Sequence, residues 1–162
     1  MTTFTNAVNN LEQARKIFHG LNVDDQLAWL WFVYEKVGET ITPAAPGAAA
    51  AKIAEGLYEQ VKQLPQQDQL ETMRAIAQKD ADNLISREYG SLSTNTKLAF
   101  WYALAIGMER GDVISMPDHY ELSQQGQELL AAIETLDFEA QITLLRNAVE
   151  PMGAAPKADA VI

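Results

Sequence analysis

Leu27, Leu30, Trp31 and Tyr34 fall at positions i, i+3, i+4 and i+7, and Leu98, Trp101 and Tyr102 repeat the start of that spacing further along the chain. On helices, each set shares one face. The segments that carry them, 27–34 and 98–104, hold all three tryptophans. Such a stripe is how any helix buries itself in a core. A duplicated aromatic placement with methionines nearby, which adapt to irregular shapes, also suits the walls around one long, flat, apolar guest. Binding of that kind rests on apolar area and ring stacking, with few hydrogen bonds.

Bond-making chemistry finds little support. His19 and His119 lie far apart and in no metal-ligand spacing, and no phosphate loop, nucleophile elbow, zinc motif or di-iron Glu-x-x-His pair occurs. Glu35, Glu39 and Glu55 read as solvated helix faces. Arg146 stands beside the apolar positions Phe138, Ile142, Leu145 and Val149, where it could anchor a partner carboxylate or simply be solvated. The reading is a binding protein and not an enzyme.

The elements that must position these residues are helical. Apolar positions recur at three- and four-residue steps, with no sustained alternation flanked by hairpin signals, so the fold class is all-α. Asn22 before Asp24 and Asp25 predicts an N-cap, and Gly38 the exit of that helix. A turn at 41–47 leads into a helix reaching about Lys62; Pro65 opens another to about Gln78, and a shorter one runs from Asp80 to about Tyr89. Thr94 or Asn95 is expected to cap the second aromatic helix, which ends at about Arg110 before a loop through Met116-Pro117-Asp118. Ser123 and Asp137 read as caps of two last helices. Residues 1–153 are expected to form one domain, with 154–162 a flexible tail.

The chain also echoes itself at an offset of about 71 to 72 residues. Leu27, Leu30, Trp31, Tyr34 and Val37 match Leu98, Trp101, Tyr102, Ala105 and Met108, while Gln69, Leu70, Met73 and Arg74 match Gln141, Ile142, Leu145 and Arg146. Two matches in the same order predict pseudo-duplicated lobes with a site between them. A compact chain of 162 residues is about 40 Å across, so a rod of about 30 Å, the span of a 20-residue helix, fits almost wholly inside.

With 22 acidic and 12 basic side chains the formal charge is −10, which repels nucleic acid and anionic membrane surfaces. Cysteine is absent, and no apolar run approaches the roughly 20 residues of a membrane span. No targeting segment is read either, so a soluble, cytoplasmic protein is expected.

The motifs Asp24-Asp25-Gln26-Leu27-Ala28, Trp31-Phe32-Val33-Tyr34, Ala44-Ala45-Pro46-Gly47-Ala48-Ala49, Asn95-Thr96-Lys97-Leu98-Ala99-Phe100-Trp101-Tyr102 and Gln141 through Val149 resemble, in order and spacing, the N-terminal helical half of the cyanobacterial orange carotenoid protein. The likeness is specifically to the stand-alone helical carotenoid proteins. The resemblance implies two discontinuous helical bundles enclosing an apolar tunnel for a carotenoid, a ketocarotenoid such as canthaxanthin or echinenone. Leu27, Leu30, Trp31, Tyr34, Met73, Trp101, Tyr102, Met108, Met116 and Tyr120 would line that tunnel. Arg146 matches an arginine that contacts the C-terminal domain and the phycobilisome on the thylakoid surface, and a chloride site is known in the family. The small residues Ala44, Ala45, Gly47 and Ala48 to Ala51 could let a ring or a neighbouring helix approach the backbone, or form only a turn and a good helix start. Arg74 stands where relatives carry a small thiol residue, and Ser115-Met116-Pro117 replaces a more proline-rich loop.

No light-sensing C-terminal domain is expected, hence no photoswitch. The implied function is photoprotection by quenching singlet oxygen through the bound carotenoid. Its rivals are a constitutive phycobilisome quencher docking through Arg146, and a carotenoid carrier working with a separate C-terminal-domain homologue.

Overall fold

The computed structural model describes residues 3–38 and 48–155. The predicted turn at 41–47, with Ala44, Ala45 and Gly47, and the expected tail beyond residue 155 lie outside the described residues. Among the described residues there are helices and no strand: α1 (Thr3–Gly20), α2 (Val23–Val37), α3 (Ala48–Lys62), α4 (Gln66–Ala77), α5 (Leu84–Gly90), α6 (Thr94–Arg110), α7 (Gln124–Glu134) and α8 (Phe138–Val149). None of them is long and apolar enough to cross a membrane.

The predicted caps at Asn22, Ser123 and Asp137 accept from the N–H groups of Asp25, Gly126 and Ala140, satisfying donors that a helix start leaves orphaned. Two expected starts move. Ser93, not Thr94 or Asn95, caps α6, accepting from the Thr96 N–H while its hydroxyl meets that of Thr96 at 2.7 Å. Helix α5 begins at Leu84 under an Asn83 cap, later than the predicted Asp80. The Asp80 carboxylate instead accepts from the Asp82 N–H at 2.9 Å, a local turn that competes with helix.

Helices α1, α2, α7 and α8 pack into one bundle and α3, α4, α5 and α6 into another, joined where α2 meets α4 and α6, and where α6 meets α8. Shifting every helix by four places in the order of eight maps these pairings onto one another: α2 with α7 onto α6 with α3, α1 with α8 onto α5 with α4, and α2 with α4 onto α6 with α8. Each bundle thus takes two helices from each half of the chain, which is the pseudo-duplication expected from the echo. Core details repeat too. Phe18 packs edge-on against Trp29 with ring centres 5.3 Å apart, and about 71 residues later Tyr89 packs edge-on against Phe100 at 5.5 Å. The Gln69 amide donates to the carbonyls of Lys62 and Leu64 at the end of α3, and that of Gln141 to Ile133 at the end of α7.

Polar bonds tie the bundles together. Trp101 donates its indole N–H to the Tyr89 hydroxyl at 2.9 Å, and Tyr89 donates to the Val149 carbonyl at 2.7 Å. The buried Lys97 reaches the Glu150 carbonyl at 2.7 Å, 5.4 Å from the centre of the Tyr89 ring. Burial pushes its pKa down, opposed by the Glu150 charge, and the carbonyl end of α8 is where a cation is favoured. Beyond α8, Gly153 donates to Ile76 at 2.7 Å and Ala154 to Ser86 at 3.1 Å. Gly90 permits that approach, since a Cβ there would fall 1.7 Å from the Ala154 carbonyl oxygen. The first residue assigned to the tail is therefore packed and bonded.

The connection from Gly111 to Ser123 is pinned at two points. Gln69 accepts from the Ile114 N–H at 2.8 Å, and the Asp25 carboxylate, 4% exposed, accepts from the Tyr120 hydroxyl at 2.8 Å and the Ser123 N–H at 3.1 Å. Burial alone would raise the Asp25 pKa, but the bonds from Ser123 and Tyr120 outweigh it and hold the carboxyl below its ordinary value. The folded state then binds this proton more weakly than the unfolded chain, so its contribution is present above an aspartate's usual pKa of about 3.9 and fades as pH falls through the lower folded value. Asp25→Asn is expected to cost about 1.5–3 kcal/mol near neutral pH, the range for hydrogen bonds to a charged group. Urea unfolding at pH 7 and again below about pH 4 checks this, with the gap between variant and parent narrowing on acidification.

Candidate binding cavity

Between the bundles lies a cavity walled by α2, α4 and α6, by Leu145 of α8 and by residues 114–120 of the α6–α7 connection. Asp24 and Gly38, at opposite ends of α2, both line it; at roughly 1.5 Å per residue the wall runs about 21 Å. The walls leave about 1170 Å³ of empty space between them, open solvent at the edges included. A rod of about 30 Å would be gripped through its middle and reach both mouths.

All ten residues predicted for an apolar site stand on this one cavity. Leu27, Leu30, Trp31 and Tyr34 come from α2, Met73 from α4, Trp101, Tyr102 and Met108 from α6, and Met116 and Tyr120 from the connection. Trp31 and Tyr34 are tilted rings 5.7 Å apart, and Tyr34 meets Tyr102 edge-on at 5.6 Å, so the duplicated stripes touch across the pseudo-twofold. Most of these apolar side chains are only half-buried although they sit inside the molecule, because they face the cavity instead of one another. Trp29 is different: it turns away, fully buried against Phe18.

Two phenols are held neutral. Burial, then the Glu109 carboxylate that accepts from the Tyr34 hydroxyl at 2.8 Å, pushes that pKa up to about 12. Burial and Asp25 do the same for Tyr120, also to about 12. Among the described residues the cavity's only ionic side chains are Asp24 and Arg74, and they are bonded to each other. The described lining residues offer apolar side chains and aromatic rings, which can enclose and stack.

Sequence reasoning missed Val37, Leu70, Ala105, Ile114 and Leu145 among the lining residues. The internal echo carries a signal for three of them, since Ala105 matches Tyr34, Val37 matches Met108 and Leu145 matches Met73. Arg146 lies off the cavity on α8, donating to the Asn95 side-chain oxygen at 3.0 Å. His19 is likewise elsewhere, at 3.1 Å from the Asn147 carbonyl, with its pKa lowered by burial, an effect that bond opposes.

Known proteins share this architecture. The family described as the N-terminal part of the orange carotenoid protein matches residues 4–155. An orange carotenoid-binding domain-containing protein of Nostoc sp. is 49% identical over 143 residues, 88% of this chain and 83% of its own. The orange carotenoid-binding protein of Synechocystis sp. is 43% identical over 84% of this chain, which spans only 43% of that longer protein. Among solved structures, the red carotenoid protein of Anabaena (Nostoc) sp. binding canthaxanthin superposes with a TM-score of 0.77 at 45% identity, over 89% of this chain and 98% of its own. The orange carotenoid protein of the same organism, binding canthaxanthin, gives 0.81 at 39% identity, over 91% of this chain and 47% of its own. With the family match running through both bundles and the whole cavity, this chain belongs to the orange carotenoid protein N-terminal family.

Proposed function

We propose that the chain binds one carotenoid, of the ketocarotenoid class that includes canthaxanthin and echinenone, in the cavity between its bundles, and protects by quenching singlet oxygen. The observation that carries this reading is the apolar cavity on which all ten predicted residues converge, in a fold whose similar solved structures hold canthaxanthin. A bound carotenoid supplies a conjugated polyene whose low-lying triplet takes up the energy of singlet oxygen and gives it off as heat. The chain's part is physical. Trp31, Tyr34, Trp101 and Tyr102 offer ring faces and edges, Met73, Met108 and Met116 mould to irregular outline, and neutral phenols keep charge out of the wall.

Purified from cells that make ketocarotenoids, the chain should carry a red-shifted polyene band and outlast its pigment-free form under photogenerated singlet oxygen. A colourless protein refutes the binding, and protection no better than the apoprotein's refutes the quenching. Trp31→Ala removes a half-buried wall residue and should weaken pigment retention by about 10- to 100-fold, the factor equivalent to roughly 1.5–3 kcal/mol of apolar burial.

A second reading, constitutive quenching of the phycobilisome, is favoured by one feature. Arg146 is half-exposed and is bonded to the neutral Asn95, so its charge stays available to an acidic partner. On this reading holoprotein lowers phycobilisome fluorescence and Arg146→Ala abolishes the effect without loss of pigment. Unchanged emission with the parent holoprotein would leave singlet-oxygen quenching alone.

A further inference from the structure

The two ionic residues of the cavity form its one charged closure. Arg74 on α4 gives its Nε and one terminal nitrogen to the two oxygens of Asp24 on α2, at 2.9 and 3.2 Å, and its other terminal nitrogen to Glu71 at 2.8 Å. Both Arg74 and Asp24 line the cavity, and their side chains are 31% and 44% exposed. Arg74 also holds Glu71, whose side chain is 59% exposed and off the cavity, so the pair stands where the cavity reaches the surface. This mouth lies at the N-terminal end of α2, along the cavity's length, where the end of a rod-shaped guest must pass.

The pseudo-twofold supplies the comparison. Asp24 and Arg74 correspond by the chain's echo to Asn95 and Arg146, and the second arginine donates to its partner across α6 and α8 just as the first does across α2 and α4. The copies differ in charge and setting: the Asp24–Arg74 contact is a two-point ion pair that lines the cavity, and its mate is a single neutral hydrogen bond away from it. An asparagine at position 24 would therefore retain the bonding pattern of the mate and lose the charge.

The geometry points to the Arg74–Asp24 pair as a latch that sets how fast a carotenoid enters and leaves the cavity, an assignment that rests on the carotenoid-binding reading. Opening needs no unfolding. Glu71, one turn back on α4, can keep the guanidinium while Asp24 lets go, and the two bundles part on this side. Because the pair is partly exposed it is screened by salt, and its strength is that of a surface ion pair, so the gating is modest.

The test is pigment release from canthaxanthin-loaded protein into excess phosphatidylcholine vesicles, followed by loss of the protein-bound absorption band. Release from the parent should quicken about two- to fivefold between roughly 0.05 and 0.5 M sodium chloride, the span expected on screening an exposed pair. Arg74→Gln and Asp24→Asn should each release about two- to fivefold faster at low salt and lose the salt dependence, and the double variant should be no faster than either single one. Thermal melts of the pigment-free variants separate a loosened latch from a weakened fold. Pigment bound as in the parent but released at the parent's rate, with the parent's salt dependence, overturns the latch and leaves carotenoid binding standing. A parent chain that takes up no canthaxanthin overturns both.

Discussion

Two apolar walls standing apart in water are driven to close, at about 25 cal/mol for each Å² they could hide from it, and this molecule keeps them apart by bracing the seam with polar bonds. Those bonds cross from one bundle to the other on both sides of the cavity. On the α6–α8 side four are sheltered, Tyr89 to Val149, Lys97 to Glu150, Gly153 to Ile76 and Ala154 to Ser86, with Arg146 to Asn95 exposed at the rim. On the α2 side they are more exposed: Arg74 to Asp24 and Tyr34 to Glu109. Hydrogen bonds have fixed lengths and directions where apolar contact has neither, so they set the separation that aromatic side chains alone would not maintain.

The pseudo-twofold explains why a cavity is there at all. Helices α2 and α6 are each other's counterparts, and each spends one face on its own bundle: Trp29 against Phe18, Phe100 against Tyr89. The opposite faces meet where the Tyr34 ring touches Tyr102 and its hydroxyl donates to Glu109. Large rings on both sides hold the backbones apart, and the space between them stays unfilled where native packing would otherwise close it. The symmetry is then broken locally by the long connection from Gly111 to Ser123, which has Met116 and Tyr120 on the cavity and is fastened through Gln69 and Asp25.

What was legible in the sequence is whatever depends on periodicity. The helices, the two lobes and the ten wall residues follow from three- and four-residue spacing, the echo at about 71 to 72 residues and the family likeness. Illegible were polar contacts between distant segments. Asp25 looks in sequence like any first-turn acid beside Asp24, yet it is buried and bonded to Tyr120, 95 positions on, while Asp24 reaches Arg74, 50 positions on. Adjacent carboxylates on a helix point about 100° apart, and which one turns inward depends on how the bundles dock. Trp29 and Trp31 divide between core and cavity for the same reason. The cap of α6 is a different kind of miss, because Ser93 occupies the place that Asn22 occupies one echo earlier, so the repeat already held the answer.

Holding a polyene in a fixed conformation calls for a rigid enclosure, whereas loading it calls for an opening, and the distribution of polar bonds assigns these demands to opposite sides of the seam. The sheltered bonds around Tyr89 and Val149 lie where salt and water do little to weaken them; parting there would take from the Tyr89 hydroxyl, the Lys97 ammonium and several backbone groups the partners they have across the seam, at about 1–3 kcal/mol for each. The bonds on the α2 side are solvated ones, whose partners lose little by exchanging each other for water. A motion that separates the bundles therefore hinges at α6, α8 and the residues after α8, and opens along α2 and α4. That is the side on which the ion pair stands at the mouth of the cavity.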